Sequence, residues 1–120
     1  MHEMGAVLNI VATAKRLAQR YGVQKLGYVK IEVGELSDAL PKYLKELWPM
    51  GAKGTVCEGA ELIIEETAAV ARCAECGKEY PVMENLQADD LPMCPYCHHR
   101  HYSIIAGDGI TMVELGVPDE

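Results

Sequence analysis

Two C-x-x-C pairs, Cys73-Ala-Glu-Cys76 and Cys94-Pro-Tyr-Cys97, constrain this chain more than any other feature. Seventeen residues separate Cys76 from Cys94, a spacing that suits a four-cysteine zinc site. A C-x-x-C turn lets two thiolates converge on one ion at about 2.3 Å, and two such turns complete a tetrahedron. Gly77, directly after the first pair, permits the backbone to curl so that its amides face sulfur. With all four positions filled by Cys73, Cys76, Cys94 and Cys97, no place is left for water, so the expected zinc is structural rather than catalytic.

Other chemistries use the same residues. Cys94-Pro-Tyr-Cys97 also looks like a glutaredoxin redox pair, but that pair lies between a strand and a long helix near the start of its fold, whereas His98-His99-Arg100-His101 follows here. Cys94 to His98 spells the C-x-x-C-H of covalent haem attachment, which needs an exported chain, and none is signalled. A rubredoxin-like iron site is the nearest rival, because four thiolates also take iron. The paired spacing favours zinc. His98, beside Cys97, is an accessory-ligand candidate, with His99 and His101 in the same cluster; a solvated turn explains them more simply. Cys57, alone in a Gly-rich turn, reads as a small core filler.

At 120 residues with no Phe and one Trp, the chain needs an aliphatic core, with the six Tyr in partial support, and a metal-stapled module would strengthen it. The net charge of −7 disfavours nucleic acid and anionic membrane. Within 72–101, Arg72, Lys78 and Arg100 face Glu75, Glu79, Glu84, Asp89 and Asp90, a poor phosphate cradle. No apolar run reaches the roughly 18 residues needed to span a bilayer, and no leader is signalled, so a cytoplasmic chain with reduced cysteines is expected.

The stripe Met4, Val7, Leu8, Val11, Ala14, Leu17, Ala18 and Tyr21 predicts an amphipathic helix stopped by Gly22. Val29, Ile31 and Val33 alternate as a strand ended by Gly34. A second helix follows Ser37 and Asp38, with Pro41 in its first turn, Leu40, Leu44, Leu47 and Trp48 on one face, and Pro49 expected to kink or end it. Strands are expected at 62–66 and 110–117. Between Arg72 and His101 the apolar periodicity fades. The fold class is therefore α+β, two helices with a roughly three-stranded sheet (1–69 and 107–120) plus an inserted zinc ribbon (70–106).

Met1-His2-Glu3 has metal-binding geometry of its own. A free α-amine, the His2 amide nitrogen and the His2 imidazole close two chelate rings, and Glu3 adds an amide nitrogen or carboxylate. Such nitrogen and oxygen donors suit Ni(II) or Cu(II). The amine titrates at about 7.7 to 8.0 and imidazole at about 6.5, so binding releases protons and weakens in acid.

End to end the chain resembles the HypA/HybF family, nickel metallochaperones of hydrogenase maturation. The resemblance rests on Met1-His2-Glu3, Val33-Gly34-Glu35-Leu36-Ser37, the segments Gly54-Thr55 and Glu58-Gly59-Ala60-Glu61-Leu62, both C-x-x-C pairs in order, and Gly107-Asp108-Gly109. It implies Ni(II) as cargo at Met1, His2 and Glu3, structural Zn(II) at the four cysteines, and Asp38 as an accessory acidic residue. It implies two partners, a nucleotide-hydrolysing maturation protein and a nickel-iron hydrogenase large-subunit precursor; some relatives also supply urease. The Trp48-Pro49-Met50 segment departs from an ordinary helix end. No phosphate loop or catalytic set is present, so a non-enzymatic carrier is expected. The alternative is a zinc-ribbon interaction or nucleic-acid adaptor with an incidental His2. An open sheet edge leaves room for a homo-oligomer.

Overall fold

The computed structural model describes residues 2–118, with elements α1 (His2–Arg20), β1 (Tyr28–Gly34), α2 (Pro41–Ala52), β2 (Glu61–Thr67), β3 (Val70–Cys73), β4 (Glu79–Pro81), β5 (Tyr102–Ala106) and β6 (Ile110–Gly116). They form two compact units. The first comprises Met1–Val33, Asp38–Glu65 and Ile110–Glu120; the second comprises Gly34–Ser37 and Glu66–Gly109. The class is α+β, and among the described residues no helix is long and apolar enough to cross a membrane.

In the first unit, α1 buries Val7, Ile10, Val11, Ala14 and Ala18, one stripe at helical spacing. It ends in a Schellman motif: Val23 N–H donates to Ala18 O at 2.8 Å and Gly22 N–H to Gln19 O at 3.2 Å, with Gly22 at φ +69. Tyr21 was expected on the buried stripe but is 77 % exposed, because the chain leaves the helix at that point.

Helix α2 starts at Pro41, whose missing N–H costs nothing in a first turn. Its N-cap is Leu40, with no side-chain cap, so neither Ser37 nor Asp38 caps it; Leu40 is 51 % exposed rather than on the buried face. Pro49 does not end the helix. The ring stands on the exposed side, and one further turn buries Gly51 and Ala52 beside Leu44 and Trp48. Gly51 permits a close helix crossing, since a Cβ there would meet Val7 Cγ1 at 2.4 Å.

The sheet order is β2-β1-β6. The central strand buries Val29, Ile31 and Val33, and β6 pairs with it antiparallel across a bulge at Lys30/Ile31. Trp48 Nε1 donates to Ala60 O at 2.8 Å, tying α2 to the turn before β2. Cys57 is fully buried in this core, and burial pushes its thiol up.

The second unit holds a sheet of order β4-β3-β5, three short strands within and flanking the region where periodicity faded. Strands of three to five residues carry too few alternations to register as a pattern. Where the chain enters and leaves this unit, three segments are braided: Glu35 N–H donates to Thr67 O, Leu36 N–H to Gly107 O, and Gly34 N–H to Gly109 O, at 2.7 to 2.9 Å. Glu35 Oε1 accepts from Ala69 N–H at 3.0 Å. Gly34 and Gly107 are required by proximity, because a Cβ on Gly34 would meet Gly107 C at 2.3 Å and one on Gly107 would meet Ala68 O at 2.5 Å.

Candidate metal centre

Both cysteine pairs sit on the same backbone turn. In the first, Cys73 N–H donates to Lys78 O and Gly77 N–H to Cys73 O, at 2.9 and 3.0 Å. In the second, Cys94 N–H donates to His99 O and His98 N–H to Cys94 O, at 3.0 and 2.9 Å. Position five of each turn is left-handed: Gly77 at φ +75 and His98 at φ +66. His98 thus stands where the first turn uses glycine, at a conformational cost a side chain rarely bears. The first turn is anchored further by Ala74 N–H on His101 O at 2.9 Å, and Glu75 N–H points at Cys73 Sγ at 3.4 Å.

The turns converge. All four Sγ atoms lie within 4.8 Å of one another, with Cys73 to Cys97 at 3.5 Å and Cys76 to Cys94 at 3.6 Å. A tetrahedron with metal–sulfur bonds of about 2.3 Å has sulfur–sulfur edges of about 3.8 Å, so the thiols fit one cation. A cation would also relieve the electrostatics of the cluster. Amides, led by that of Cys76, hold Cys73 below its ordinary value. Burial pushes Cys94 up, but the amides of Cys97 and Tyr96 outweigh it and bring the thiol to about 7. At Cys97 the His99 amide pulls down, yet burial and the other three cysteines drive it up to about 12. Four sulfurs this close cannot all ionise without a positive charge among them.

The imidazole that reaches a cysteine is that of His99, whose Nδ1 lies 3.3 Å from Cys97 Sγ. His98 and His101 are exposed, and Asp38 is exposed in the loop before α2. Nothing in the sequence distinguishes His99 from its neighbours, because the turn geometry alone decides which ring folds back.

The cations of 72–101 are engaged. Arg72 pairs with Glu79 at 2.9 Å, Arg100 with Asp89 at 2.6 Å, and Lys78 lies 4.7 Å over the Tyr96 ring. No basic patch remains there for phosphate.

At the other end of the chain, Met1 and the side chain of His2 lie outside the described residues. The backbone of α1 begins at His2, so the amides of His2 and Glu3 fall among the first-turn N–H groups that no helical carbonyl accepts. Glu3 is half-buried, and its Oε2 accepts from Leu40 N–H at 3.4 Å. That contact spans 37 residues and gives no sequence signal.

The described site is thus a four-thiol cluster able to hold one metal ion, set in an α+β chain. The sequence profile of the family described as hydrogenase/urease nickel incorporation, metallochaperone, HypA matches residues 1–117, and the chain belongs to that family. It is a family of metallochaperones, not enzymes, acting in hydrogenase maturation. Hydrogenase maturation factor HypA of Chlorobium limicola is 36 % identical over 119 residues, covering 99 % of this chain and 98 % of that protein. The factor of Desulfitobacterium hafniense is 33 % identical, covering 99 % and 100 %. The solution structure of the Ni metallochaperone HypA from Helicobacter pylori superposes with a TM-score of 0.75 at 21 % identity, covering 98 % of each chain, a likeness of fold.

Proposed function

We propose that the chain carries Ni(II) on the Met1 α-amine, His2 and Glu3 and delivers it to a nickel-iron hydrogenase large-subunit precursor in the cytoplasm. A nucleotide-hydrolysing maturation protein supplies the energy for insertion, which nothing in this chain provides. Residues 1–69 and 107–120 serve as the nickel domain and 70–106 as a zinc ribbon. Structural Zn(II) on Cys73, Cys76, Cys94 and Cys97 neutralises the clustered sulfurs and orders the ribbon. The nickel reading is supported above all by Glu3, whose carboxylate ties the first turn of α1 to the start of α2, in the loop that carries Asp38. Glu3, the described side chain of the proposed donor set, is thereby held against the start of α2.

Calorimetry with Ni(II) on the untagged protein tests this. His2→Ala should weaken binding by at least about tenfold, as removal of one of few donors does, and an added N-terminal residue should do the same by displacing the amine. Unchanged affinity in both would sink the carrier mechanism. Metal analysis should find one zinc per chain; four freely alkylated thiols besides Cys57 would instead support thiol redox chemistry.

A further inference from the structure

We propose that His99 is a positioning residue of the four-cysteine centre, its imidazole Nδ1–H donating to the Cys97 thiolate while the ring itself stays off the metal. The inference rests on the reading of that centre as a zinc site. The Nδ1 atom lies 3.3 Å from Cys97 Sγ, inside the reach of a hydrogen bond to sulfur. A metal-bound thiolate carries no proton and can only accept, so the nitrogen that faces it is the donor. The four sulfurs already complete a tetrahedron, which leaves the ring outside the coordination sphere. The backbone holds it there. Cys94 N–H donates to His99 O at 3.0 Å and His98 N–H to Cys94 O at 2.9 Å, so residues 98 and 99 are both tied to Cys94, and the left-handed His98 closes the turn.

The first turn provides an internal comparison. Its counterpart of His99 is Lys78, whose carbonyl accepts from Cys73 N–H at 2.9 Å just as His99 O accepts from Cys94 N–H. Lys78 reaches across to the other turn, its Nζ 4.7 Å from the centre of the Tyr96 ring. The two turns are therefore alike in backbone and unlike in what the residue at this position offers. Cys76, the counterpart of Cys97, is exposed, whereas Cys97 is half-buried with an imidazole against it. The amide of His99 acts on the same sulfur, pulling the Cys97 thiol down against burial and the other three cysteines. Four thiolates on one Zn(II) leave the centre net negative, and a donor to sulfur spreads that charge. It also fixes the direction of the ligand, as partners outside the coordination sphere do in other metal sites.

Any substitution of His99 keeps its backbone amide, so a variant reads the ring alone, and because the residue is exposed none opens a cavity. His99→Ala removes the donor, and His99→Asn restores an N–H on the atom after Cγ, the place Nδ1 occupies. Zinc competition against a chromophoric chelator should show His99→Ala losing zinc about tenfold more readily, with His99→Asn returning toward wild type. In the Co(II)-substituted protein the sulfur-to-cobalt charge-transfer band should move to lower energy in His99→Ala and back in His99→Asn, because a thiolate freed of its donor gives up electron density more easily. An unmoved band in His99→Ala would overturn the proposal even if zinc retention fell, since a merely structural loss leaves the electrons of the thiolate alone. X-ray absorption at the zinc edge should find sulfur ligands only; a nitrogen ligand that disappears in His99→Ala would put the ring on the metal and overturn the positioning role. A wild-type protein holding no zinc would fail the zinc reading itself, an outcome distinct from a zinc-loaded protein indifferent to His99.

Discussion

Residues in left-handed or crowded positions carry much of the specification here. Gly107, at φ +80, would place a Cβ 2.5 Å from Ala68 O, so Gly107→Ala combines a disfavoured backbone with a collision against main chain. A loss of about 2 to 4 kcal/mol in chemical denaturation is expected. His98 is the opposite case: it occupies a left-handed position with a side chain that glycine would spare. His98→Gly should therefore keep zinc and fold with stability unchanged or raised by up to about 1 kcal/mol, whereas His98→Val should destabilise the second turn. Asp89 offers a titration test. The Arg100 hydrogen bond, its largest influence, holds its carboxyl below the ordinary 3.8. A depressed folded value means the clamp is present above 3.8 and lost as pH falls through the lower folded pKa. A carboxyl NMR titration of Arg100→Ala should return Asp89 toward 3.8. The glycine and cysteine motifs were legible as residues, but the partner of Gly107 was not, since Ala68 approaches it only in the fold.

Elements show where pattern reading stops. The stripe of α1 and the alternation of β1 are read directly from side-chain periods, because each buries one face against one core. Helix α2 shows the limit. A proline eight residues into a helix ordinarily ends it, yet here the turn beyond Pro49 continues because it buries Gly51 and Ala52. Pro49→Ala should restore a helical N–H on an exposed face and stabilise the protein by about 1 to 2 kcal/mol, the helix penalty of proline less its restriction of the unfolded chain. Gly51→Ala should do the reverse, forcing Val7 aside at the α1–α2 crossing at a cost of about 1 to 3 kcal/mol. Both are read from denaturation midpoints. The crossing could not be inferred from the sequence, because the meeting of Gly51 with Val7 depends on the angle at which the helices pack.

For the whole molecule, the two units differ in what holds them. The first has a continuous apolar core running through Val7, Val29, Ile31, Leu44 and Trp48. The second has a small buried cluster, Ala69, Ala71, Cys73, Tyr80, Val82 and Cys94, and two of these are thiols of the candidate metal centre. Removing metal by chelation should therefore raise hydrogen exchange throughout 66–109 while α1 and β1 stay protected; uniform loss of protection would contradict this. The paired C-x-x-C spacing and the apolar periods were determined by the sequence alone, because each depends on neighbours within a few bonds or one element. Only the tertiary structure decided that His99 rather than His98 lies against a sulfur, that Glu3 meets Leu40, and that Gly34 needs Gly107. Those contacts join residues from distant segments or depend on turn geometry, and distance and direction across a folded chain are not written in local composition.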